Sequence, residues 1–165
     1  MFAPSFTHRL VKMAARIVAH IDGPSGAGKT TLAEQLARLN PQFAVKDLDD
    51  FHSPSPDWTK KIVGQRAAML RWVGKQRKPV VLVGIHAESW DPGQQLSFPA
   101  STKRIRLDTG PLRSAWRRYR RQPDRTLRDL WRDYQTNKKD IRELDARGYK
   151  ARTRDEIIDH LSRKV

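Results

Sequence analysis

Gly23 and Gly28-Lys29-Thr30 stand at the spacing G-x-x-x-x-G-K-[ST] within the segment DGPSGAGKTT, residues 22–31. Each residue type has a chemical reason to be there. Glycines leave backbone N–H groups free to face an anion with no side chain between, and they permit the turns that aim those groups inward. A lysine closing such a loop brings a full positive charge to the outer phosphates of a polyphosphate, and the hydroxyl that follows it can ligate magnesium. Gly23, Pro24, Ser25, Gly26, Ala27, Gly28, Lys29, Thr30 and Thr31 are therefore the expected phosphate-binding segment, with Lys29 at the reacting phosphate and Thr30 at the metal.

A loop of this kind needs a strand before it and a helix behind it. Residues 16–21, RIVAHI, read as a β-branched strand, and Thr31 to Leu39 carries Leu32, Leu36 and Leu39 at helical spacing until Pro41 stops it. The helix amino terminus adds partial positive charge at the same point. Residues 43–48 read as a second strand with Asp47, Asp49 and Asp50 at its carboxyl end, where Asp47 and Asp49 share a side if the strand persists. Asp57 is placed to cap a helix through Gln76, and VVLVGI at 80–85 suits a central parallel strand covered on both faces. A loop at 91–101, a strand at 103–107, helices at 111–121 and 125–146, a short strand at 148–152 and a last helix at 154–163 complete the chain. Strands alternating with helices imply one α/β domain over residues 1–165 with a parallel sheet, preceded by an arm over 1–15.

Charge narrows the partners. Lys and Arg number 33 against 18 Asp and Glu, a net +15 that favours anions. Much of the excess lies between Lys103 and Arg132. There Leu112, Ala115, Trp116 and Tyr119 recur at helical spacing as a face expected to pack inward, while Arg113, Arg117, Arg120 and Arg121 form a neighbouring face. Guanidinium groups so aligned repel one another unless an anion lies opposite, and a triphosphate fits, with Arg113 and Arg117 the first choices. The chain has no cysteine, which rules out disulfides and thiolate metal centres and agrees with a cytoplasmic location. Its longest apolar run is far short of the roughly 20 residues that span a bilayer, so a soluble protein without a membrane partner is expected.

On GPSGAGKTT at 23–31, DLDDF at 47–51, VVLVGI at 80–85 and the arginine-rich helix after LDTG at 107–110, the chain resembles the P-loop kinases of the nucleoside and nucleotide kinase superfamily. The uridine kinase and nicotinamide riboside kinase branch is the nearest, with gluconate and adenylate kinases further off. The resemblance implies a P-loop NTPase fold with a five-stranded parallel sheet in the order 2-3-1-4-5. It also implies ATP, Mg2+ and transfer of the γ-phosphate to a hydroxyl of a nucleoside or other small molecule. It further implies a catalytic aspartate at Asp49 or Asp50, with Asp49 also at the metal. A lid over about 113–135 would supply Arg113 and Arg117, with Arg125 or Arg128 in addition, and Gly148-Tyr149-Lys150 would hold adenine. Aromatic stacking on an acceptor would fall to Phe51, His52 or Trp58, and His86, Glu88 and Trp90 would line the acceptor pocket. One departure stands out: the third strand ends in Val83-Gly84, where similar kinases carry a Walker B acid, leaving Glu88 or His86 to stand in. Two other functions stay open, a polynucleotide 5′-hydroxyl kinase favoured by the charge, and a nucleotide-dependent switch without transfer.

Overall fold

The computed structural model describes residues 15–51, 57–84 and 98–163. The N-terminal arm, His52, His86, Glu88, Trp90 and the side chain of Trp58 lie outside the described residues. Strand β1 (Ile17–Asp22) is flanked by β3 (Val80–Val83) and β4 (Lys103–Leu107), with β2 (Ala44–Asp47) beyond β3 and β5 (Lys150–Arg152) beyond β4. All five pair in parallel, in the order β2-β3-β1-β4-β5. The strand carboxyl ends, among them Asp22, Asp47, Val83 and Arg152, therefore lie along one edge.

The layers follow from side-chain alternation. Ile21, Val81, Val83, Ile105 and Leu107 meet Leu32 and Leu36 of α1 (Lys29–Leu39) and Ile157 and Leu161 of α5 (Arg154–Ser162). Val80 and Leu82 face the other way, onto Met69 and Val73 of α2 (Trp58–Lys75). Ile17 joins that second layer while Ala19 joins the first, because the β1 register shifts between them. Every residue of β3 is buried, which is why its sequence is a continuous apolar run rather than an alternating one. Asp57 caps α2 as expected, accepting from the Lys60 N–H at 3.1 Å. No described helix is long and apolar enough to cross a membrane.

Helices α3 (Pro111–Arg120) and α4 (Leu127–Ala146) pack on each other. Thr126 and Asp129 cap α4 reciprocally. Asp133, buried in α4, accepts from Arg125 and from Arg118 at 3.5 Å, and Asn137 Nδ2 donates to the Pro111 carbonyl at 3.2 Å. Arg106 ties β4 to α4 through Asp145 at 2.8 Å.

The face of α3 expected to pack inward does so only in part. Ser114 and Ala115 are buried, whereas Leu112 is 60% and Trp116 47% exposed. The reason is distance: a Cβ added to Gly26 would lie 2.3 Å from the Ser114 carbonyl oxygen. Backbone meets backbone there, so only small side chains fit the contact and the large ones turn outward. Gly26 also has φ +83°, a left-handed conformation that costs other residues about 1–2 kcal/mol. We predict that Gly26→Ala costs at least about 3 kcal/mol in denaturant unfolding, strain and overpacking together. Gly148→Ala, at φ +80° with nothing within 4 Å, should lose only about 1 kcal/mol. Equal losses would refute the close approach.

Candidate phosphate-binding site

The polypeptide leaves β1 at Asp22, whose Oδ1 accepts from the Gly23 N–H at 2.6 Å, and turns through Gly28 into α1. Ala27 N–H donates to the Pro24 carbonyl at 3.1 Å, closing the turn. Gly28 is the helix N-cap at φ 93° and contributes no capping side chain. First-turn N–H groups of a helix have no intrahelical acceptor, so those of α1 point along the helix axis toward the strand edge. Lys29 Nζ donates to the carbonyls of Gly23 at 2.6 Å and Pro24 at 3.1 Å, which fixes the ammonium at the loop. Thr30 and Thr31 are exposed beside it. Backbone donors, an ammonium and a hydroxyl thus converge, as an anion cradle with an adjoining metal ligand requires.

Lys29 is partly buried, and loss of water pushes its pKa down from the ordinary lysine value. Asp22 opposes that shift most, then Asp49, Asp47 and Asp140. Asp22 is buried and displaced upward by desolvation, against the charges of His20 and Lys29. Asp140 on α4 is half-buried and is also raised, by desolvation and by Glu143 and Asp22. Uncompensated burial of one ion costs several kcal/mol, which explains why carboxylates from distinct segments gather round this ammonium. Asp22 and Asp140 were not singled out from the sequence. Asp22 left a signal, a charged residue ending an otherwise apolar strand; Asp140 is just one of the charges on a solvated helix until α4 folds over the strand ends.

The aspartates after β2 are arranged differently from expectation. The strand stops at Asp47, and Leu48–Asp50 form a 3₁₀ turn, so Asp47 and Asp49 do not alternate along one extended strand. Asp47 is buried and accepts from the Asp49 N–H through Oδ1 at 3.0 Å, while its Oδ2 has no hydrogen-bond partner among the described residues. A Cβ at Gly84 would lie 3.2 Å from Asp47 Oδ1. A carboxylate from β2 therefore stands beside the end of β3, where the sequence lacks an acid. Asp49 is exposed and acts electrostatically on Lys29, whereas Asp50 is paired with Lys46 at 2.7 Å. The described residues contain no cluster of three or more His, Cys, Asp or Glu suited to hold a metal. Magnesium shared between Thr30, a carboxylate and phosphate oxygens needs no such cage.

Arginines close the site. Arg117 Nη1 donates to the Ala27 carbonyl at 3.3 Å, and a Cβ at Gly28 would sit 3.0 Å from Arg154 Nη2 and 3.7 Å from Arg117 Nη1. Desolvation, then Arg113, Arg154 and Arg121, lower the Arg117 pKa. Arg117 and Arg154 thus reach the loop, while Arg113, exposed one turn before Arg117, acts on Arg117 through its charge. Sequence reading missed Arg154 because it placed the functional turn before β5. Gly148–Lys150 enters β5 at its amino end, the sheet edge opposite the loop, whereas Arg152–Arg154 leaves at the loop's edge. Tyr149 is instead a buried residue whose hydroxyl lies 2.6 Å from His20 Nδ1. Arg125 is held by Asp133 and pins the hairpin rather than facing the loop, and Arg128 is exposed on α4. Phe51 is core, edge-on to Trp72 at 5.9 Å, and not a stacking platform.

Like charges converging on Arg117 make a specific prediction. Arg117→Met should raise the melting temperature at low ionic strength, the gain should shrink as salt screens the repulsion, and stabilisation by inorganic tripolyphosphate should fall. A variant that melts lower in low salt and keeps its full response to tripolyphosphate would contradict the anion site. Compared with known protein families, curated proteins and solved structures, the chain matches none of them.

Proposed function

We propose that this chain is a P-loop kinase that uses ATP and Mg2+ to phosphorylate a hydroxyl group of a nucleoside or other small molecule. The observation that carries the reading is Lys29, fixed on its glycine-rich loop by the Gly23 and Pro24 carbonyls, at the same sheet edge as the turn after β2 that bears Asp49. One group suits the transferring phosphate and the other its acceptor.

In this reading the N–H groups of the loop and of the first turn of α1 bind the β-phosphate, and Lys29 bridges to the γ-phosphate. Asp49 orients the acceptor hydroxyl and takes its proton as the oxygen bonds to the γ-phosphorus. The bond from that phosphorus to the bridging oxygen breaks, and ADP leaves. Arg117, Arg113 and Arg154 stabilise the charge on the transferred group and exclude water from it. Thr30 and Asp47 would hold the magnesium ion, Asp47 through its buried Oδ2, which has no hydrogen-bond partner among the described residues, and in place of the metal role expected of Asp49. When bound, that ion neutralises charge on the phosphate oxygens. A switch without transfer rests on the missing acid at Val83-Gly84, and the Asp47 carboxylate beside Gly84 weakens that alternative.

Transfer of labelled phosphate from ATP across a panel of nucleosides, sugars and oligonucleotides tests the reading. Lys29→Met should abolish transfer while the circular dichroism spectrum stays native. Asp49→Asn should lower kcat by about 10²- to 10⁴-fold with little change in ATP affinity, as loss of a general base does. Asp50→Asn, whose carboxylate pairs with Lys46, should stay within about threefold of the parent rate. An active Lys29→Met protein would sink the kinase reading, and an unchanged kcat in Asp49→Asn would remove its base.

A further inference from the structure

Large apolar side chains left in water are concentrated on one part of this molecule. Leu112, Trp116, Leu127 and Trp131 are 60%, 47%, 72% and 62% exposed, and all belong to α3 and α4. They recur in a common pattern, Leu112-Arg113-x-x-Trp116-Arg117-x-Tyr119 on α3 and Leu127-Arg128-x-x-Trp131-Arg132-x-Tyr134 on α4. Positions i, i+4 and i+7 share a helix face, so each helix carries a Leu-Trp-Tyr stripe with arginines beside it. The rings are already paired: Trp116 stacks on Tyr119 at 5.5 Å and 23°, and Trp131 lies on Tyr134 at 5.3 Å and 39°.

The charge around these rings is strongly one-sided, with ten basic residues against three acidic ones between Pro111 and Lys139. Arg113, Arg120, Arg121 and Arg128 have no carboxylate partner among the described residues. A partner for this surface must offer flat apolar faces interleaved with negative charge. Single-stranded nucleic acid has that make-up, since every base presents a π-face and every linkage a phosphate. An anionic membrane would accept the leucines and tryptophans, but it makes no use of rings stacked in pairs. The stripe also leads somewhere: Arg117, next to Trp116, donates to the Ala27 carbonyl, so α3 runs from the exposed aromatics to the glycine-rich loop.

We propose that the α3–α4 hairpin is a binding surface for single-stranded nucleic acid, with bases stacking on Trp116 and Trp131 and phosphates paired to the arginines of the same two helices. That a bound strand could present a terminal hydroxyl to Asp49 rests on the kinase reading. The binding itself does not.

Fluorescence anisotropy of a labelled 12-nucleotide single strand, titrated with the full chain without nucleotide at several salt concentrations, tests the surface. Binding is expected, weakening steeply with salt, and Trp116→Ala with Trp131→Ala should lower affinity at least about tenfold. Both side chains are exposed, so the doubly substituted protein should melt near the parent temperature. Arg120→Gln with Arg128→Gln should reduce the salt slope by about one to two. Lys29→Met should bind the strand as the parent does, which separates failure of the surface from failure of the kinase reading. Equal affinity for a duplex of the same sequence, or unchanged affinity in the tryptophan variant, would overturn the proposal. So would tryptophan-dependent binding to phosphatidylserine vesicles, or tryptophan-dependent self-association, in a protein that does not bind the strand.

Discussion

One ammonium group organises this site. Lys29 is drawn out of water at the end of a glycine-rich loop, and its charge must be answered where it lies. Loop carbonyls supply part of the answer at hydrogen-bond distance, and carboxylates from the end of β1, the end of β2, the following turn and α4 supply the rest. These segments are far apart in sequence. What brings them together is the parallel sheet, which sends each strand's carboxyl end to the same edge and so makes that edge the place where charge accumulates. Asp22 carries the opposite burden, its ionised form penalised by burial and only partly supported by the charges of His20 and Lys29. Each charge offsets part of the other's cost of burial.

A second constraint follows from the loop. Helix α3 comes so near to Gly26 that a single added carbon would collide with the Ser114 carbonyl oxygen. Small residues therefore occupy the contact. The same rotation that puts Ser114 and Ala115 inside brings the Arg117 guanidinium to the loop and turns Leu112 and Trp116 toward solvent. The anion-binding arginine and the exposed aromatic stripe are two consequences of one packing choice. Asp133 keeps α4 in register with it, by holding Arg118 and Arg125.

Much of this could be read from residue order. The spacing of Gly23, Gly28, Lys29 and Thr30 marked the loop, apolar periodicity marked the strands and helices to within a few residues, and the sheet order implied by the resemblance is the one observed. What escaped depends on contacts between distant segments. Asp140 and Arg154 become neighbours of the loop only when α4 and α5 fold back on the sheet. Periodicity identified the apolar stripe of α3 but could not say which way it faced, because that was decided by the absence of a side chain at Gly26. Tyr149 was misassigned because chain order alone does not say that the segment before β5 enters the sheet at the edge opposite the loop, while Arg152–Arg154 leaves it at the loop's edge.

The most direct measurement is a backbone amide NMR titration with a non-hydrolysable ATP analogue and magnesium. The account predicts large, saturable shifts at Gly26, Gly28, Lys29 and Thr30, the residues whose N–H groups surround the cradle, with smaller ones at Asp47 and Arg154. Saturable shifts that spare the loop and fall elsewhere on the molecule, or no shifts at millimolar analogue, would contradict it.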